Sequence, residues 1–187
     1  PDATLSATAT LAGQDVTLDR LAFQGRALAV QASGADRAGR LALTYKIDLA
    51  DLSVLQPGLA GTLAIQGEAG GPPTALSASA EITGRVAARG EASGPLHARL
   101  QAEDLPDAPQ ISLAADGELA GAPLAVQARM RRNPDGALAA RIDRMDWKSA
   151  HAEGALDLPP GAILPQGRIT FRMDRLADLR PFLGMPL

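Results

Sequence analysis

The feature that most constrains this chain is an alternation of apolar and polar residues with a period of two. In Arg40–Leu49, RLALTYKIDL, the residues Leu41, Leu43, Tyr45, Ile47 and Leu49 fall on one side, and Arg40, Thr44, Lys46 and Asp48 on the other. Successive side chains of an extended strand point to opposite faces, so this pattern makes a two-faced strand and spoils an amphipathic helix. The same pattern recurs in Leu5/Ala7/Ala9/Leu11, Leu28/Val30/Ala32, Leu63/Ile65, Leu76/Ala78/Ala80/Ile82, Val86/Ala88, Leu96/Ala98/Leu100 and Ile111/Leu113. It continues in Leu124/Val126/Ala128/Met130, Leu138/Ala140/Ile142, Leu156/Leu158 and Ile169/Phe171/Met173. In VTLDRLAF, Val16–Phe23, it changes phase, from Val16/Leu18 to Leu21/Phe23. About a dozen short strands are therefore expected.

Gly, Pro, Asp and Asn punctuate them: NPDG at 133–136 is the sharpest turn, GGPP (70–73) and DLPDAP (104–109) are longer breaks, and DLPPGAILPQG (157–167) reads as a flexible connection. Leu-Ala-Gly turns are expected at 59–61 and 119–121. No long amphipathic helix is present. The two helical candidates are the Leu-Ala-Asp-Leu words at Leu49–Leu52 and Leu176–Leu179, each read as a corner of about two turns with Asp51 or Asp178 facing solvent. The expected fold is all-β: a long curved sheet forming a trough, or β-taco, with an apolar concave face and one or two short helical corners, the alternative being a β-sandwich.

The strand words repeat. LAVQA at Leu28–Ala32, LAIQG at Leu63–Gly67 and LAVQA at Leu124–Ala128 share one pattern, and the Leu-Ala-Asp-Leu word follows a strand in both places. The reading is one repeat-like β-structure across 1–187, a segment of a larger protein; the first corner offers a division into sub-modules 1–56 and 57–187. The closing GMPL (184–187) reads as the start of another strand.

Composition narrows the function. The apolar mass is aliphatic, with aromatics limited to Phe23, Tyr45, Trp147, Phe171 and Phe182, and the net charge of −3 gives no case for nucleic acid. With no Cys there is no thiol, disulfide or zinc–thiolate chemistry. The chain opens PDATLSATATL, which is not a signal peptide, so any export signal or anchor is expected outside these residues. No Gly-x-Ser-x-Gly or phosphate loop occurs. The two histidines, His97 and His151, lie in strand patterns; His151 with Glu153 supplies two ligands at most, short of a metal site. No enzyme activity, cofactor or metal is expected. Trp147 reads first as a core anchor or an edge cover, and otherwise as an aromatic lip on a binding surface.

A dozen two-faced strands with no covering helix must close, sandwich or leave an apolar groove. An aliphatic lining without convergent polar groups suits a long, chain-like apolar ligand better than a shaped small molecule. The lining residues expected on this argument are Leu41, Leu43, Ile47, Leu63, Ile65, Leu124, Val126, Ile142, Ile169 and Phe171.

The Leu-Ala-Asp-Leu word before a Pro, the Ala/Gly/Arg-rich alternation, and the phrases LAGTLAIQGEAGG and LPQGRITFRMDRLADLRPFLGMPL resemble the TamB/AsmA-like family of Gram-negative bacteria, the inner-membrane side of the translocation and assembly module. The resemblance spans essentially the whole chain. It implies an interior segment of a periplasmic β-taco anchored in the inner membrane, moving phospholipids between the membranes or helping outer-membrane proteins assemble. Its implied partners are phospholipid acyl chains or nascent outer-membrane β-strands and, through other parts of the parent protein, a TamA-like outer-membrane barrel. The runner-up is a structural β-spacer in a surface or periplasmic filament with no ligand.

Overall fold

The computed structural model describes residues 3–55, 58–88 and 91–179. They form twelve strands: β1 (Thr4–Ala12), β2 (Asp15–Gln24), β3 (Leu28–Arg37), β4 (Arg40–Leu49), β5 (Leu59–Gly71), β6 (Leu76–Ala88), β7 (Gly94–Leu105), β8 (Gln110–Leu119), β9 (Ala122–Arg132), β10 (Leu138–Trp147), β11 (Ala150–Leu158) and β12 (Gln166–Met173). All belong to one open antiparallel sheet in simple chain order, each strand paired with the one before and the one after it. The fold is all-β, as the alternation requires. The expected strand start at 184–187 lies outside the described residues.

Short loops explain the order. Antiparallel neighbours need only a tight turn, and Ala38–Gly39 and Ala120–Gly121 supply it, both residues of each pair holding positive φ. That is the backbone twist a two-residue hairpin prefers. The expected turn at Leu119–Gly121 is therefore present, but Leu59–Gly61 opens β5. The stretch after Leu158 is the β11–β12 hairpin loop, on which Ile163 and Leu164 stand almost fully exposed.

The phase change in β2 is a bulge. Leu18 faces Gly34 and Leu21 faces Ala32, leaving Asp19 and Arg20 together opposite Ser33. A second bulge in β10 sets Asp143 and Arg144 between Ile142 and Met145. Both are written apolar-Asp-Arg-apolar, Leu-Asp-Arg-Leu and Ile-Asp-Arg-Met. An inserted residue would throw every later side chain to the wrong face; the bulge absorbs it and keeps the apolar residues on one side.

The two corners are smaller than expected. Each is a single 3-10 turn, Leu52–Val54 and Leu176–Leu179, because a Leu-Ala-Asp-Leu word offers too few residues to nucleate an α-helix. They are also out of step. After β4 the Ala50 N–H donates to Ala27 O, and after β12 the Asp174 N–H donates to Ser149 O, so Ala50 corresponds to Asp174 and Leu52 to Leu176. In the first corner the repeated word spans strand end and cap; in the second it is the turn itself. Asp51 is exposed and caps its turn by accepting from the Ser53 N–H. Asp178 does not face solvent: its carboxylate takes bonds from the Ser149 N–H and hydroxyl (2.6 Å), tying the corner to the β10–β11 turn.

Buried side chains are few and small. Ala88, Ala120, Trp147 and Ala150 form the main cluster, with Leu119, Ala122, Leu124 and Met173 against it. Trp147 is its anchor, donating its indole N–H to Leu119 O at 2.8 Å, which bears out the core reading over the aromatic lip. Leu52 is also deeply buried, at 2 % exposure.

Candidate functional site

The apolar face of the sheet is the candidate site, and the pairing register builds it row by row. Directly opposed residues of paired strands share a face. The central row runs Leu5, Phe23, Val30, Ile47, Ile65, Ile82, Ala98, Ala115, Val126, Met145, Ala152, Phe171, one residue from each strand. The row beside it includes Leu21, Tyr45, Leu100, Leu113, Ile142 and Ile169. On the other flank lie Leu28, Leu49, Leu63, Leu96, Leu124 and Trp147. Towards the margin Asp36 interrupts a row between Val16 and Leu41, marking where the face stops being purely apolar.

All ten sequence-predicted residues fall on this face: Ile47, Ile65, Val126 and Phe171 on the central row, Ile142 and Ile169 on the second, Leu63 and Leu124 on the flanking row, and Leu43 and Leu41 outward of these. The three repeated words are in register too. Leu28, Leu63 and Leu124 share one row, and Val30, Ile65 and Val126 another. The residues missed, among them Ile82, Leu96, Leu100, Ile111, Leu113, Met130 and Leu156, sit in the same alternating strand patterns and were legible there.

Glycine shapes the surface. Leu63 and Leu96 flank Gly84, and Leu96 and Leu124 flank Gly117, so large and absent side chains alternate along the row. At Gly67 a Cβ would stand 2.6 Å from the Tyr45 hydroxyl, because the Tyr45 ring crosses this strand to donate to Ser79 O two strands away. The ring covers the bare backbone of β5 at this point.

Among the described residues no second layer covers the apolar side. Contacts run almost entirely between consecutive strands, and apart from Leu49 and Trp147, which are buried, the large apolar side chains named on the face are half-buried by their own neighbours or exposed. Phe171 is 57 % exposed, and Leu5 69 %. A hollow of about 250 Å³ lies over β8–β12, lined by Ile111, Leu113, Met130, Ile142, Leu156 and Ile169. Of the predicted residues it contains Ile142 and Ile169.

A larger hollow, about 760 Å³, lies over β2–β7 and is lined chiefly by polar side chains including Gln31, Lys46, Gln66, Glu81 and Arg99. It was not foreseen. A twisted sheet is saddle-shaped, so each face is concave along one diagonal, and alternation says which side chains share a face but not how the face bends.

The polar side also carries an ion-pair network over β9–β11. Arg129 grips Asp143 with two bonds of 2.8 Å, and Arg141 adds a third. The Arg129 guanidinium, with Arg141, holds the Asp143 carboxyl below its usual range. Asp146 is likewise lowered by His151, whose Nδ1 lies 2.6 Å away, and by Arg144. His151 is thus engaged with Asp146 and not with Glu153. Among the described residues no group of three or more His, Cys, Asp or Glu could hold a metal ion. No protein-family model, curated protein or solved structure matches this chain.

Proposed function

We propose that this chain is a non-enzymatic binding and conduit module, its apolar face carrying acyl chains of phospholipids. The observation that carries the reading is the set of parallel aliphatic rows crossing twelve strands, with no layer over them among the described residues. Monomeric soluble proteins rarely leave a continuous apolar patch above a few hundred Å², and a larger one marks a binding surface. Every row offers CH₂ and CH₃ groups and almost no polar partner, which matches a hydrocarbon chain and demands no fixed ligand length. Each well-covered side chain contributes on the order of 1 kcal/mol. The resemblance to the TamB/AsmA-like family supports a role in transport of phospholipids between inner and outer membranes, with outer-membrane protein assembly and a TamA-like partner being roles of the periplasmic parent protein in this proposal.

Native mass spectrometry of the chain, purified under mild conditions from a Gram-negative host, tests this. Copurifying phospholipid, exchangeable for added fatty acid, is the expected result; a lipid-free protein that takes up none on incubation with vesicles would contradict it.

A further inference from the structure

We propose that the β11–β12 hairpin loop is a membrane-contact tip, which sets Ile163 and Leu164 into the surface of a lipid bilayer. The antiparallel order gathers six turns along one margin of the sheet: residues 13–14, 38–39, 72–75, 106–109, 133–137 and 159–165. The first five carry no apolar side chain larger than Ala or Pro, whereas the sixth presents Ile163 at 94 % exposure and Leu164 at 76 %. That exposure is built into the loop. The Ala162 N–H donates to Pro159 O at 3.1 Å, with Pro160 and then Gly161 at φ +74° between them, the arrangement of a type II turn. The turn lies against its neighbour, where a Cβ on Gly136 would stand 3.7 Å from the Pro160 ring. Pro165 then narrows the conformations open to Leu164. Two aliphatic side chains are thus held off the sheet by a braced support.

Three features choose a bilayer as the occupant. Residues 158–167 contain no charged side chain, so the tip has nothing ionic to dehydrate. Its backbone is poor in donors as well: Pro159, Pro160 and Pro165 have no N–H, and that of Ala162 is bonded inside the turn. Each donor absent or satisfied lowers the cost of leaving water for lipid. Behind the tip stand Arg131 and Arg132 at the end of β9 and Arg168 on β12, all exposed, against Asp135 and Asp157. An apolar tip with an excess of arginine behind it matches a lipid interface, where the guanidinium groups reach phosphates while the tip enters the acyl boundary. The contact is separate from the apolar face and stands whether or not that face carries acyl chains.

Cosedimentation of the full chain with vesicles of phosphatidylethanolamine and phosphatidylglycerol tests this. Binding that weakens with salt is expected. Ile163→Ser combined with Leu164→Ser should cut it at least about tenfold while leaving the far-ultraviolet β signal intact, since both residues are exposed. The chain has no Cys, so a polarity-sensitive dye on Ile163→Cys reads insertion directly. Its emission should shift to the blue on vesicles, and that of the same dye on Gln101→Cys, on the polar side of β7, should not. Uptake of soluble fatty acid, measured in parallel, should be the same in the native chain and the double-serine variant. A native chain that binds vesicles but takes up no fatty acid would sink the acyl-carrying reading and leave this one standing. No vesicle binding, binding that survives the double substitution, a dye at position 163 that stays in water, or loss of fatty-acid uptake together with vesicle binding overturns the proposal.

Discussion

Leu52 and Leu176 stand at corresponding points of two similar corners, yet Leu52 is 2 % exposed and Leu176 72 %. The first turn packs on β5, while the second is held by the polar bonds of Asp178 to Ser149. Leu52→Ala should therefore cost about 2–3 kcal/mol, the low end for a buried leucine in so thin a structure, and Leu176→Ala less than about 0.5 kcal/mol; urea unfolding of both separates them. Gly67→Ala is expected to cost about 2 kcal/mol or more, because its Cβ would fall on Ser79 O and the Tyr45 hydroxyl. The same assay reads it, and a neutral result would mean that Tyr45 does not lie over that backbone. At this scale the sequence was least legible. The repeated Leu-Ala-Asp-Leu word suggested two equivalent corners, but composition repeats more easily than backbone hydrogen bonding, and the two are three residues out of step.

Strands and their register were far more legible, because burying one face selects one phase. The shift from Val16/Leu18 to Leu21/Phe23 marked the β2 bulge, and the LAVQA and LAIQG words marked shared rows. What the alternation hid was the content of the bulges: the Asp-Arg pair of β10 reads as ordinary polar filler until the register puts Asp143 between Arg129 and Arg141. Asp143, Asp146 and Asp178 are all held below the usual carboxylate range, and all belong to β10 and the corner after β12. A carboxyl lowered in the folded state contributes stability above its unfolded value, about 4, and loses it as pH falls through the folded value. Hydrogen exchange should thus show the β9–β12 end losing protection below about pH 4 while β6–β8 holds, with Asp143→Asn weakening that end at neutral pH and flattening its acid response. Uniform acid loosening along the sheet would count against this.

Across the whole molecule, the all-β class, the number of strands and the membership of the apolar face followed from a single periodicity, and the curvature did not. Two-faced strands with no helix to cover them leave several architectures open, and pairing in simple chain order, with no described strand crossing back over the sheet, is what leaves one face bare among the described residues. The polar hollow over β2–β7 came from twist, which no residue pattern encodes directly. Ile65, on the central row between Ile47 and Ile82, is the point at which the account can be broken most directly. The measurement is titration of a fluorescent fatty acid into the full chain and into Ile65→Asp, with folding followed by far-ultraviolet circular dichroism. The account predicts saturable uptake by the native chain and at least about a tenfold loss in a variant that keeps its β signal, since a buried charge costs any covering acyl chain more than about 1.4 kcal/mol. No uptake by the folded native chain, or equal uptake by the variant, would contradict it.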